Sequence, residues 1–174
     1  TAIRDGLSTL YAAPNHVHGY VRGRDTTTNA RPHCGKKVVL RIDLENFFGT
    51  INRMQIEETL RGLEFSEDLV TLIASIGCIR NELPAGFPSS PVLSNMVFAA
   101  TDEALAAFAE SCGLTFTRYA DDMAFSAEAL GDSELERIEG ILNSNGWGLN
   151  ARKTRFMRAG KSQYVTGLYV GLAD

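Results

Sequence analysis

The sequence predicts an α+β fold in which a small antiparallel sheet carries helices packed on one face. Three observations lead there. The runs Val38–Ile42, Leu114–Arg118 and Met123–Ser126 are β-branched or alternate apolar with polar residues, as strands do. Three segments between residues 52 and 112, and a fourth after residue 132, repeat apolar residues at helical spacing. The connections are short and rich in turn residues, with no internal repeat, low-complexity tract or linker, so one domain over residues 1–174 is expected.

Residues 1–37 are rich in Gly, Thr and Asn and show no sustained period beyond a short strand around Val17–Val21. Val38–Ile42 reads as a buried strand that stops at Asp43, with Phe47 and Phe48 within the following turn. Asn52 is placed to cap a helix that buries Ile56, Leu60 and Leu63. Ser66-Glu67-Asp68 opens a second helix, with acids where the helix dipole favours them and an apolar stripe of Leu69, Leu72, Ile73 and Ile76. Leu83–Pro88 holds too much Gly and Pro for either element. Ser89-Ser90-Pro91 supplies a cap and a first-turn proline for a long helix to about Cys112, burying Leu93, Val97, Ala100, Ala104 and Phe108 and ending at Gly113. Ser133-Glu134-Leu135-Glu136 reads as a capping box for a last helix, with Leu135, Ile138 and Leu142 inward and its end near Asn145-Gly146. Trp147–Asn150, Arg155–Met157 and Tyr164–Val170 complete the fold as strands.

Composition sets further bounds. Apolar residues make up 44% and charged residues 22%, ordinary for a globular domain large enough to hold a core. No apolar run reads as long enough to cross a bilayer and no signal-peptide pattern opens the chain, so a cytoplasmic protein with no membrane partner is expected. Cys34, Cys78 and Cys112 make an odd count without CxxC spacing, which argues for reduced thiols over a disulfide framework or zinc site. The start at Thr1 rather than Met suggests a fragment. A net charge of −4 argues against nucleic acid, yet seven of 17 basic residues lie in residues 1–42 and five more between Arg152 and Lys161. Basic ends flanking an acidic middle suit phosphates around a metal site, and equally a set of solvated charged faces.

The chemistry gathers at Tyr119-Ala120-Asp121-Asp122, a turn between two strand runs that sets two carboxylates side by side. Alone it reads equally as an ordinary acidic turn. Asp43, at the end of the first strand, alone reads as a helix-capping acid. If these strands are neighbours, three carboxylates meet at one sheet edge, a costly arrangement unless a cation neutralises them. Carboxylates that leave room for water and phosphate suit Mg²⁺, and two such ions activate an attacking hydroxyl and steady a leaving pyrophosphate.

Four blocks carry a resemblance: RIDLENFFGTI at Arg41–Ile51, LPAGFPSSPVLSN at Leu83–Asn95, YADD at Tyr119–Asp122 and GLNARKT at Gly148–Thr154. In this order and at these gaps the chain resembles reverse transcriptases. Asn29-Ala30-Arg31-Pro32-His33 is similar to the NAxxH element of the retron group, Val165-Thr166-Gly167 to its VTG element, and His18–Arg24 to its fingers segment. The resemblance implies a right-hand polymerase palm with part of the fingers, residues 1–37 being the fingers portion and 38–174 mainly palm. The family continues into a helical thumb beyond the VTG strand, so weak or undetectable processive synthesis is expected of residues 1–174 alone.

Roles follow from the same resemblance. Asp43, Asp121 and Asp122 match the catalytic, metal-binding triad, with the Leu44 carbonyl as an extra ligand and Asp122 the least direct of the set. The cofactor implied is a pair of Mg²⁺ ions, with Mn²⁺ as a substitute. Phe48 matches the bulky residue that excludes a ribose 2′-hydroxyl, while Phe47 reads as core. Gly86, Pro88 and Ser90 fall in the segment lining the nucleotide and template-primer pocket, where Ala85 replaces a Gln common in the family. Lys153 matches the basic residue near the triphosphate, a role that asks only for a flexible point charge. Arg22 and Arg24 are candidates to grip phosphates, and Tyr119 to pack beneath the primer end or anchor the hairpin. His33 is assigned to RNA contact or to folding support.

The function implied is RNA-directed DNA polymerisation of retron type, making complementary DNA from a structured non-coding RNA in anti-phage defence. Its partners would be an RNA template, a DNA primer and product, deoxynucleoside triphosphates, a cognate structured RNA and an effector protein. Two alternatives stand beside it. One is another bacterial reverse-transcriptase-like protein, of group II intron or abortive-infection type. The other is a non-catalytic RNA-binding palm, against which the intact Asp43, Asp121 and Asp122 argue.

Overall fold

The computed structural model describes residues 2–171. At its centre lies an antiparallel sheet of β1 (Val38–Asp43), β2 (Thr115–Tyr119), β3 (Asp122–Ala127) and β4 (Arg155–Arg158), in spatial order β2-β3-β1-β4. β1 is central, which explains why its residues are β-branched and buried on both faces. The register sets Asp43 opposite Asp122, and Asp122 opposite Tyr119. A left-handed Ala120 (φ +58°) closes the tight turn between β2 and β3.

Side chains alternate between the two faces of this sheet. One face carries Leu40, Ile42, Phe116, Arg118, Met123 and Phe125, all buried. The C-terminal half of the long helix α6 (Ser90–Ser111) packs here, because Asp102 meets the buried Arg118. α7 (Asp132–Ser144) joins it with Ile138 and Leu142 buried and Arg137 stacked 4.7 Å over the Phe108 ring. The other face is graded. At one end Val39, Ala124 and Met157 form a small core with Ala30, Val165 and Val170. At the other end it turns polar, with Arg41, Asp43, Asp122 and Arg155 in successive rows.

The chain divides into two compact units: residues up to Ala13 with Asn46–Ala100, and Pro14–Glu45 with residues from Thr101 onward. The first holds α1 (Ala2–Leu10), α3 (Phe47–Thr50), α4 (Arg53–Gly62), α5 (Glu67–Gly77) and the first half of α6. The sheet, α7 and the second half of α6 belong to the second. Residues 14–37 therefore cluster with the sheet, adding a parallel bridge from Val17 to Arg118 where the sequence predicted a longer strand.

Helix starts agree with the sequence better than helix faces. Asn52 caps α4 in a reciprocal box with Gln55. α7 begins two residues early, its box running from the Gly131 N–H to the Glu134 carboxylate at 2.8 Å. Ile56 and Leu60 are buried, but Leu63 is exposed. On α5 the buried set is Val70, Ile73, Ala74 and Gly77, while Leu69, Leu72 and Ile76 face solvent. Two overlapping stripes compete on that helix, and the one with small residues wins because it allows close approach: a Cβ on Gly77 would lie 3.2 Å from Leu93. α6 buries Leu93 and Phe108 as expected, but Val97 and Ala104 are half-buried and Ala100 exposed. Met96, Phe98, Leu105 and Ala109 take their place. Contrary to the sequence reading, α6 is long and apolar enough to span a bilayer by length and composition. With 61% of that window buried, its apolarity is used by the protein core. Gly113 (φ +65°) ends it, the Leu114 N–H reaching back to the Ala109 carbonyl.

Two C-terminal expectations change. Trp147–Asn150 is irregular apart from a bridge between Leu149 and Leu44. Tyr164–Val170 is a hairpin rather than one strand: β5 (Tyr164–Val165) and β6 (Leu168–Tyr169) flank a Thr166-Gly167 turn with both residues at positive φ. This hairpin meets α2 (Thr26–Ala30) through Asn29, whose side-chain amide donates to the Thr166 hydroxyl at 3.4 Å. The NAxxH and VTG elements thus form one module on the apolar end of the second face.

His33 is the deepest part of that module and is fully buried, which decides for folding support over RNA contact. Its Nε2 lies 2.8 Å from the Thr117 hydroxyl and its Nδ1 2.7 Å from the Ser126 hydroxyl. The Thr117 hydroxyl donates to the Asn29 carbonyl, so Nε2 carries the proton and Nδ1 accepts from Ser126. Burial pushes the imidazole down from 6.5 to about 4, with His18 and Lys36 adding to the effect. Because the folded value lies below the unfolded one, the unfolded chain binds more protons between them. This stabilisation is therefore complete above pH 6.5 and lost as pH falls towards 4. The loss amounts to on the order of 3 kcal/mol. Urea unfolding at pH 7 and pH 4 should show wild type losing that much more stability than His33→Gln; equal losses would contradict the assignment.

Candidate active site

β1 and the β2–β3 hairpin bring the acids together. The Leu44 N–H, just past the end of β1, donates to the Asp121 carbonyl at 3.0 Å, fixing the hairpin turn against the residue after Asp43. On the opposite edge the Asp43 carbonyl accepts from the Asn150 N–H at 2.8 Å, and the Glu45 N–H donates to the Gly148 carbonyl at 2.8 Å. The GLNARKT segment is thereby tied to the same strand end. It turns back through Asn150, whose carbonyl accepts from the Lys153 and Thr154 N–H groups, and this turn aims Lys153 at the site.

Asp43 and Asp122 are each matched with a cation. Lys153 Nζ sits 3.0 and 3.1 Å from the two Asp43 oxygens, over a side chain only 8% exposed. The Lys153 ammonium is raised above its usual range, chiefly by this hydrogen bond. Arg41 Nε donates to Asp122 Oδ1 at 2.7 Å along the same face. Burial nevertheless pushes the Asp122 carboxyl up; Arg41 works against the rise, and the charges of Asp121 and Asp43 add to it. The hydrogen bond to Asp122 raises the Arg41 guanidinium. Arg155, exposed, lies opposite Arg41 on β4, so positive charge surrounds the acids on this face.

This donor set can be tested against a divalent ion. Among the described residues no group of three or more His, Cys, Asp or Glu side chains is placed to hold a metal. On the same face Asp122 Oδ1 is engaged by Arg41 Nε. Asp43, Asp121 and the Leu44 carbonyl remain as hard oxygen donors at one strand end. Mg²⁺ is typically held by one or two carboxylates together with water and substrate phosphate, so a two-carboxylate set fits it. An ammonium seated across both Asp43 oxygens marks where a cation is favoured. When bound, such an ion supplies Lewis-acid polarisation of phosphoryl oxygens and charge neutralisation.

The other expected site residues fare unevenly. Tyr119 is half-buried with its ring 6.5 Å from that of Tyr20. Arg22 is exposed. Arg24 is not free to grip a phosphate: its guanidinium donates to the Pro14 and Val17 carbonyls and holds that segment in shape. Phe48, Gly86, Pro88 and Ser90 belong to the other unit. There Phe47 is core, edge-on to Phe98 at 5.6 Å, and Phe48 is half-buried. Gly86 and Pro88 are exposed. Ser90 is buried and its hydroxyl donates to the Pro84 carbonyl at 2.5 Å, so it shapes the LPAGFP loop instead of offering a substrate contact.

The model of the family described as reverse transcriptase (RNA-dependent DNA polymerase) matches residues 2–171. The chain belongs to the reverse transcriptase family. It is similar to the Retron Ec86 reverse transcriptase of Escherichia coli, 32% identical over 170 residues that cover 97% of this chain and 53% of that protein. The Retron Mx65 reverse transcriptase of Myxococcus xanthus is 32% identical over 186 residues, covering 94% of this chain and 43% of its own length. Among solved structures, the apo telomerase of Candida tropicalis truncated from its C-terminal domain superposes with a TM-score of 0.70 at 10% identity, over 98% of this chain and 42% of that one. That likeness shows a shared fold. The reverse transcriptase chain spans about half the length of the curated relatives it matches.

Sequence reasoning missed two charged residues at this end of the sheet. Arg41 shares its strand face with Asp43 two residues on, a period-two signal. Arg118 falls on the apolar parity of β2 with Phe116, so a charge there needs a buried partner, which is Asp102.

Proposed function

We propose that this chain carries the catalytic sheet of a retron-type RNA-directed DNA polymerase that joins deoxynucleotides to a primer by two-metal nucleotidyl transfer. The observation that carries the reading is the meeting of Asp43 and Asp121 through the Leu44–Asp121 hydrogen bond, with Lys153 bridging both Asp43 oxygens. Asp43 and Asp121 would hold Mg²⁺, or Mn²⁺ in its place, with the Leu44 carbonyl. Asp122 balances Arg41 and keeps it oriented along the site face. Lys153, seated across the Asp43 oxygens, would be placed to reach an incoming triphosphate as a flexible point charge. Arg41, Arg155 and Arg22 supply positive potential for phosphates. An RNA template, a DNA primer, a cognate structured RNA and an effector protein are the partners this reading entails, in the cytoplasm and in anti-phage defence.

The test is extension of a DNA primer annealed to RNA by the full-length protein, with deoxynucleotides and Mg²⁺. Wild type is expected to add nucleotides templated by the RNA; none added on any primed RNA would overturn the reading. Phe48 is proposed to exclude the 2′-hydroxyl. Phe48→Ala should then raise ribonucleotide incorporation relative to deoxynucleotide by roughly 10- to 100-fold, read as the ratio of kcat/KM values. An unchanged ratio would remove Phe48 from that role.

A further inference from the structure

We infer that Arg118, Asp102 and Gly19 are positioning residues that set the Asp121 carboxylate by fixing the peptide before it, an inference that rests on the polymerase reading above. Ala120 adopts φ +58°, a left-handed conformation that a residue with a Cβ takes only when its surroundings impose it. Three contacts impose it, from below, beside and behind.

From below, Arg118 reaches the turn that follows it. The side chains of Arg118 and Asp102 are both fully buried. Arg118 Nε donates to Asp102 Oδ1 at 2.7 Å and Nη2 donates to Asp102 Oδ2 at 2.5 Å, a two-pronged pairing. The third arm, Nη1, donates to the Ala120 carbonyl at 2.9 Å. Asp102 thus orients the guanidinium, and the guanidinium orients the Ala120–Asp121 peptide. Only Arg offers three N–H groups in one rigid plane, so Lys cannot repeat this.

From the side, residues 16–19 run along β2. Arg118 N–H donates to the His16 carbonyl at 2.8 Å, and the His18 and Gly19 N–H groups donate to the Arg118 carbonyl at 2.8 and 3.4 Å. This brings Gly19 flat against the turn: a Cβ there would stand 2.9 Å from the Tyr119 carbonyl carbon and nearer still to the Ala120 nitrogen. Both obstacles are backbone, so the hairpin itself would have to move. From behind, the Leu44 N–H holds the Asp121 carbonyl. The peptides on either side of Asp121 are therefore both pinned, which fixes the backbone position from which its carboxylate extends.

The experiment compares wild type, Gly19→Ala and the paired variant Arg118→Met with Asp102→Leu, which removes the tether without leaving a lone buried charge. Three quantities are read: melting temperature, Mn²⁺ dissociation constant by electron paramagnetic resonance, and kcat and KM for a deoxynucleotide on primed RNA. We expect folded variants with Mn²⁺ binding weakened about tenfold and kcat lowered roughly 10²-fold at little-changed KM, the cost of misplacing a catalytic group by about 1 Å. A purely structural role would lower melting and leave the metal affinity of folded protein unchanged. Folded variants with wild-type Mn²⁺ affinity and kcat overturn the inference; if the paired variant does not fold, Gly19→Ala alone decides. A wild type that neither binds Mn²⁺ nor extends a primer overturns the polymerase reading and the inference together, whereas an active wild type with indifferent variants overturns the inference alone.

Discussion

Asp43→Asn should lower primer extension on RNA by about 10³-fold or more. The substitution keeps shape and hydrogen-bonding capacity but removes the charge at the strand end, where the carboxylate is 8% exposed and already holds a cation. Lewis-acid stabilisation of a transferring phosphoryl group amounts to several kcal/mol, and each 1.36 kcal/mol is a factor of ten in rate. Folding should be nearly unaffected, because the Asp43 ion pair is made with a lysine whose side chain is 59% exposed, and such pairs contribute little. Lys153→Met separates the two effects: it frees Asp43 for metal while removing a charge from the triphosphate, so its loss should fall mainly in nucleotide KM. Single-turnover extension with each variant measures both. Asp43→Asn retaining more than about a tenth of wild-type rate would remove the metal role from Asp43.

Asp102→Ala should destabilise the fold by roughly 3–5 kcal/mol, among the largest single losses available in this chain. It removes both carboxylate oxygens from the fully enclosed Arg118 guanidinium, while the bond to the Ala120 carbonyl stays. An unpaired buried charge costs far more than the pair itself contributes, which is why apolar replacement of both partners is expected to be tolerated where removal of one is not. Urea unfolding followed by circular dichroism provides the number. A loss below about 1 kcal/mol would mean that water reaches Arg118 and that the pair is not enclosed.

The sheet and its acids were legible because their signals are local. β-branched runs gave β1, and Tyr119–Asp122 between two alternating runs gave the hairpin that faces it. The helix faces were legible only where one apolar stripe stood alone. On α5 both Leu69-Leu72-Ile76 and Val70-Ile73-Gly77 satisfy the helical period, and the choice was made by the closeness of Leu93, a tertiary fact. The strand at Tyr164–Val170 became a hairpin because Thr166 and Gly167 both accept positive φ, which alternation alone does not reveal. Arg24 was read as a phosphate grip from the fingers segment it resembles, whereas its donors are used by carbonyls ten and seven residues earlier in the chain. Asp122 was grouped with Asp43 and Asp121 by resemblance, while its bond to Arg41 follows from strand alternation.

The direct measurement is Mn²⁺ titration by electron paramagnetic resonance of wild type, Asp121→Asn and Asp122→Asn. With Asp43 and Asp121 as the metal pair and Asp122 matched to Arg41, wild type and Asp122→Asn should bind Mn²⁺ within a few-fold of each other. Asp121→Asn should bind at least about tenfold more weakly, the loss of a charged ligand from a set of few. Equal binding by Asp121→Asn and wild type, or a loss confined to Asp122→Asn, would contradict the assignment of the site to Asp43 and Asp121.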